Sequence, residues 1–242
     1  MNEIKSRYPT FTNPELLINL CDQLVQNGNI TSDDCLLLKR FHQSIIHKLT
    51  SAVFCLEKLS GLIQNRTYIL GITSTGTETT QEFDEQFQLF FYQDNFFSSL
   101  ISSFDVLSLK LNLIYSNPIS DIRTCYFSSL VNTLVQSNAN GIIERYLDQI
   151  RNACWYKDTV PLRICLTHRQ QPDFTINIEV VAGTPIIKHF LPDDPLILPY
   201  TYNNQREILP FCQDKMRQFV NAINTIDGLL RRDATRIGHI PF

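Results

Sequence analysis

The chain has 242 residues, 43% of them hydrophobic, which is enough to bury a sizeable core and argues against disorder. Only 19% are charged, and 21 basic against 24 acidic side chains leave a formal net charge of −3, which excludes a protein whose whole surface is a nucleic-acid-binding cation but not a locally basic site. The longest uncharged run, Thr124 to Ile143, is broken by Ser, Asn and Gln, and the N-terminus lacks the charge and apolar pattern of a secretory signal, so a cytoplasmic protein without a membrane span is expected.

In chain order, Pro14 after Thr12 and Asn13 opens a helix carrying Leu16, Leu17, Leu20, Leu24 and Val25, which stops at Asn27 and Gly28. Thr31, Ser32, Asp33 and Asp34 supply the cap and acidic first turn of a long second helix, apolar at Leu37, Leu38, Phe41, Ile45, Leu49, Val53, Leu56, Leu59 and Ile63. Residues 66–80, rich in Thr, Ser and Gly, read as a loop or a short extended segment. A third long helix runs from about Glu82 to Tyr115, with Phe83, Phe87, Phe90, Phe97, Leu100, Phe104, Leu107 and Leu111 on one broad face, and Pro118 marks its end. Shorter helices cover Tyr126–Gln136, Ile142–Asn152 and Tyr156–His168, the last with a soft boundary at Pro161.

The period then falls from about 3.6 to 2. Phe174, Ile176, Ile178 and Val180 alternate with polar residues, and Ala182-Gly183 precedes a second extended run, so residues 173–191 read as a β-hairpin whose second strand, holding Pro185, lies at an edge. After a proline-rich loop, residues 205–232 close the chain as an amphipathic helix. The expected fold is mainly α: one domain over 1–242, an antiparallel bundle of long helices with a small β-hairpin appendage.

Much chemistry is excluded. Seven cysteines, an odd number without CxxC or paired zinc spacing, read as reduced packing residues. Gly71-x4-Gly76 has Thr77 where a P-loop needs Lys, and there is no GxGxxG or HExxH, so no metal and no cofactor is expected. His42 and His47, five apart on a helix, diverge by about 140° and make a poor metal pair; Arg40 and His47 read as a solvated edge.

Arg163 and His168 are the constellation that remains. A fixed cation and a group titrating near neutrality are what metal-free phosphodiester chemistry needs. Residues 145–169 hold Arg145, Arg151, Lys157, Arg163 and Arg169 against Asp148 and Asp158, whereas residues 78–105 hold Glu78, Glu82, Asp84, Glu85, Asp94 and Asp105 and no base. Opposite fields of this kind attract, within a protein or between protomers. Ser98, Ser102, Asp105 and Asn112 form a polar stripe beside the Phe-rich face of the third helix, and any of them that is buried needs a partner.

On these residues the chain resembles the HEPN superfamily of helical nucleotide-binding domains. The stretch from Phe97 through Ser98, Ser102, Phe104 and Asp105 to Asn112 looks like a HEPN core helix, and Arg163-x4-His168-Arg169 looks like its Rx4–6H motif. The similarity covers about 82–169, with 205–232 as a further core helix and 14–65 as N-terminal additions. It implies a homodimer whose motifs meet across a composite cleft, and a metal-independent RNase of defence or toxin type, partnered for instance by an antitoxin. In that reading Arg163 binds the scissile phosphate and His168 moves the proton. Asp105 and Asn112 support them, and Arg151, Lys157 and Arg169 contact RNA. Members without catalysis serve as modules binding a protein partner or nucleotide. Catalytic members usually place Asn, Asp or His directly after the arginine, where this chain has Ile164.

Overall fold

A computed structural model describes residues 14–28, 30–64, 80–138, 140–168, 176–181, 184–191 and 206–237. The protein is mainly α. Helices α1 (Pro14–Gln26), α2 (Ser32–Gln64), α3 (Thr80–Ile114), α4 (Phe127–Ser137), α5 (Ile142–Asn152) and α6 (Cys154–His168) precede strands β1 (Ile176–Val181) and β2 (Thr184–His189), and α7 (Ile208–Ile237) follows. The loop or short extended segment expected over 66–80, the turn at Ala182-Gly183, the proline-rich stretch and Arg169 fall mostly or wholly outside the described residues.

Local sequence chemistry accounts for the helix ends. At the start of α2, the Asp34 carboxylate accepts from the Thr31 amide and hydroxyl, each at 2.8 Å, while Thr31 Oγ1 accepts from the Asp34 amide at 3.2 Å. This reciprocal cap satisfies donors that the first turn leaves open. The chain leaves α3 through Ser116 and Asn117, both with positive φ, a conformation asparagine tolerates better than most residues. Asn112 clamps that turn: its amide donates to the Ile119 carbonyl and accepts from the Ile119 amide, both at 2.9 Å. Gly141 caps α5, and a Cβ there would coincide with the Glu144 carboxylate, which is buried over the helix start. Pro161 does not end α6: the helix continues through it, with Tyr156, Thr159, Leu162 and Leu166 buried at helical spacing.

The chain divides into two compact units. The first comprises residues 1–50, 99–158 and 217–242, and the second 51–98 and 159–216. At the centre of the first, the buried Phe104 ring lies 4.7 Å from Phe219, 4.8 Å from Phe127, 5.6 Å from Tyr156 and 6.3 Å from Trp155. Most of these pairs are edge-to-face, the arrangement favoured by ring quadrupoles. Leu107, Leu111, Leu130, Val131, Leu147 and Ile223 extend this core.

In the second unit Phe96 and Phe97 are buried, their rings 5.0 Å apart, and Phe97 meets Phe211 at 6.0 Å. β1 and β2 pair antiparallel, with Val180 opposite Pro185; in a two-stranded sheet both strands are edges, so the missing proline N–H breaks no inner ladder. Leu191 donates to the Arg206 carbonyl and Phe190 bridges to Glu207, which ties the strand end to the start of α7.

Within residues 87–114, one 18-residue window reaches the length and apolarity of a membrane-crossing helix, with a mean hydropathy of 1.3. That window is 61% buried inside the protein, as a core helix is, and residues 87–114 contain the buried Lys110.

Candidate functional site

Arg163 lies in the second unit, on the half-exposed side of α6 beside the fully buried Leu162. Its Nε is buried and has no hydrogen-bond partner among the described residues. A guanidinium carries five donors and never loses its charge, so an unanswered N–H in a low-dielectric setting is costly unless an acceptor arrives. Ile164, the next residue, is 39% exposed.

The other expected cations are differently placed. Arg151 is bound by Asp148 and Asn132, an arrangement internal to the first unit. Lys157 is exposed, and Arg169 lies outside the described residues. His168 is the last residue of α6. Five residues of α-helix turn through about 140°, so the backbone sets positions 163 and 168 on different sides of one helix.

The two acceptors expected to support the motif belong to the first unit. Asp105 is half-buried beside Cys125 and Tyr156. Burial pushes the Cys125 thiol up to about 11 and the Tyr156 phenol up to about 12, and the Asp105 charge adds to both. A hydrogen bond from Ser128 partly offsets the rise at Tyr156. Asn112 is buried, and its amide is committed to the Ile119 backbone.

Sequence reasoning does not find the charged cluster in the first unit. Lys110 Nζ donates to Asp227 Oδ1 at 2.6 Å, and His42 Nδ1 stands 3.8 Å from Asp227 Oδ2. All three are buried, Lys110 to 1% exposure. The available signal is pattern-breaking: Lys110 is the one charge among Leu107, Leu109, Leu111 and Leu113, and Asp227 falls between Ile226 and Leu230 on the buried face of α7.

A pair of thiols lies at the α1–α2 turn. Cys35 Sγ donates to the Cys21 carbonyl at 3.7 Å, and the two thiols are within hydrogen-bonding reach of each other. Burial, then the neighbouring Cys35, pushes Cys21 up to about 12, so it stays protonated near neutral pH. Cys35, with Asp22, Val25, Gln26 and Ser32, lines an open hollow. Among the described residues no three His, Cys, Asp or Glu side chains gather as a metal site.

Compared with protein-family models, curated proteins and solved structures, the chain matches none of them.

Proposed function

We propose that this chain is a HEPN-like helical protein acting on RNA as a metal-independent endoribonuclease. The observation that carries the reading is Arg163, half-exposed, with a buried Nε that no described residue satisfies. A phosphate oxygen is the acceptor that matches a guanidinium best, and it would supply the missing hydrogen bond and the counter-charge together.

The step is intramolecular to the RNA. The 2′-hydroxyl attacks the adjacent phosphorus, its proton passes to a base, the bond to the 5′-oxygen breaks, and that oxygen takes a proton. The products are a 2′,3′-cyclic phosphate and a 5′-hydroxyl. Arg163 stabilises the charge that grows on the non-bridging oxygens, and His168 serves as proton carrier. Because positions 163 and 168 sit about 140° apart on one helix, the working pair comes from two copies of the chain, Arg163 of one and His168 of the other.

RNA cleavage in EDTA tests this, with wild type, Arg163→Ala and His168→Ala compared. Each substitution is expected to lower the rate about 100-fold or more, and wild-type product should carry a cyclic phosphate. Equal rates in all three proteins, or no cleavage by any, would overturn the reading.

Ile164 and the same divergence favour a second reading, a catalytically inactive HEPN-like module that binds a nucleotide or protein partner through Arg163. It predicts binding without cleavage: nucleotide or RNA affinity falls with Arg163→Ala and with salt, and His168→Ala changes nothing.

A further inference from the structure

The second unit carries an aromatic surface that its own core does not use. Phe87, Phe91 and Phe54 are 53%, 49% and 51% exposed. With the half-buried Tyr92 they form a continuous row: Phe87 stacks on Phe91 at 6.4 Å, Phe91 meets Tyr92 edge-on at 5.5 Å, and Tyr92 meets Phe54 edge-on at 6.5 Å. The row is at most ~18 Å long, about three turns of a helix laid along it. Three half-exposed phenylalanines on two adjoining helices make a contiguous apolar patch, unlike the scattered single hydrophobes that any surface shows.

By sequence, the two helical segments that carry the row are acidic. Segments 51–64 and 80–98 hold Glu57, Glu82, Asp84, Glu85 and Asp94 against a single base, Lys58. Asp94 follows Phe91 by three positions and Glu57 follows Phe54 by three, each one helical turn away and each half-buried. Lys58 places its ammonium 5.3 Å over the Phe54 ring, so the patch already holds one cation against an aromatic face.

We propose that this aromatic and acidic face docks a cationic amphipathic helix of a partner protein. Leucine-like side chains of the partner cover the phenylalanines, and its lysines or arginines reach Asp94 and Glu57 or lie over the rings. The same charges oppose the two other occupants. Single-stranded RNA would stack bases on the rings but bring its phosphates to the carboxylates. A second copy meeting this face across a two-fold axis would set acid against acid. The proposal does not rest on the Arg163 reading.

The test uses the full chain and a fluorescein-labelled 18-residue peptide of leucine and lysine at amphipathic spacing, followed by fluorescence anisotropy. Wild type is expected to bind it, more weakly as salt rises, and a peptide with glutamate in place of lysine should not bind. Phe91→Ala and Phe87→Ala should each raise Kd about tenfold, and Glu57→Gln with Asp94→Asn should raise it several-fold and flatten the salt dependence. Arg163→Ala should leave it unchanged. These phenylalanines are half-exposed, so thermal melts of the variants should stay close to wild type, which separates lost binding from lost folding. Equal affinity of wild type and Phe91→Ala for the lysine peptide would overturn the proposal. So would a self-association in sedimentation velocity, or a binding of a uridine 20-mer, that Phe91→Ala abolishes.

Discussion

Replacing Asp227 by leucine should cost far more than its one hydrogen bond to Lys110. Lys110 is 1% exposed and its ammonium is 2.6 Å from the Asp227 carboxylate. Deleting the carboxylate leaves a cation with no counter-charge where water does not reach, and breaking a buried pair in this way costs about 3–5 kcal/mol. The mirror change, Lys110→Met, strands the carboxylate, but His42 at 3.8 Å leaves it a second basic neighbour, so the loss should be smaller. Removing both charges, with Lys110→Met and Asp227→Leu together, should recover most of the stability, because an apolar pair of similar volume carries no desolvation penalty. Urea denaturation of the four proteins gives the coupling energy directly, expected at about 2 kcal/mol or more, with m unchanged. Strict additivity of the two single losses would refute the reasoning.

Other expectations follow from the same geometry. Phe104→Ala removes the ring at the centre of the first unit and should destabilise by about 3–5 kcal/mol in urea melts, whereas Ile122→Ala, at a residue 66% exposed, should stay within about 0.5 kcal/mol. Asn112→Ala deletes both bonds to Ile119 and should cost about 2–3 kcal/mol, with faster amide exchange at Ile119 as the local readout. Gly141→Ala drives a Cβ onto the buried Glu144 carboxylate and should cost about 1–3 kcal/mol, where Gly28→Ala meets no atom but strains a backbone φ of +72°. Cys55 and Cys125 hold their protons to about 11 against an ordinary 9.0, and Tyr156 to about 12 against 10.0, so the folded state binds more protons than the unfolded one at high pH. Stability from these groups is complete below about pH 9 and declines as pH climbs through 11 to 12. A urea midpoint that stays level between about pH 8 and 10.5 would contradict that sign.

Periodicity makes the helices legible because each must bury one stripe. The steps at Leu38, Ile45, Leu49, Leu56 and Leu59 mark buried positions of α2, and Phe97, Leu100, Phe104, Leu107 and Leu111 do so for α3. The same pattern misleads at Phe87, expected on the broad apolar face yet 53% exposed, since hydrophobicity does not say whether a patch is covered by its own chain. Helix ends follow where side-chain chemistry is local, as at Thr31 and Asp34, and α6 runs through Pro161 to His168 as its sequence predicts. For the candidate site, spacing alone yields Arg163 and its 140° separation from position 168. That Arg151 is internally bound, that Asn112 holds a turn and that Lys110 finds Asp227 depend on tertiary pairings; the last spans 117 positions, which no local pattern encodes.

Every boundary between the two units falls inside a helix: 50/51 in α2, 98/99 in α3, 158/159 in α6 and 216/217 in α7. Neither unit is therefore a continuous length of chain, and no single cut releases one whole. The first unit also depends on the last helix, because Phe219 supplies a wall of the Phe104 cluster and Asp227 neutralises Lys110. Phe219 and Asp227 leave the ribosome some 115 residues after Phe104 and Lys110, which wait until then, unburied by their final partners. The protein can form helices as it emerges, but its core closes only once α7 has been made, and the apolar surface of α3 is the part that stays at risk until then.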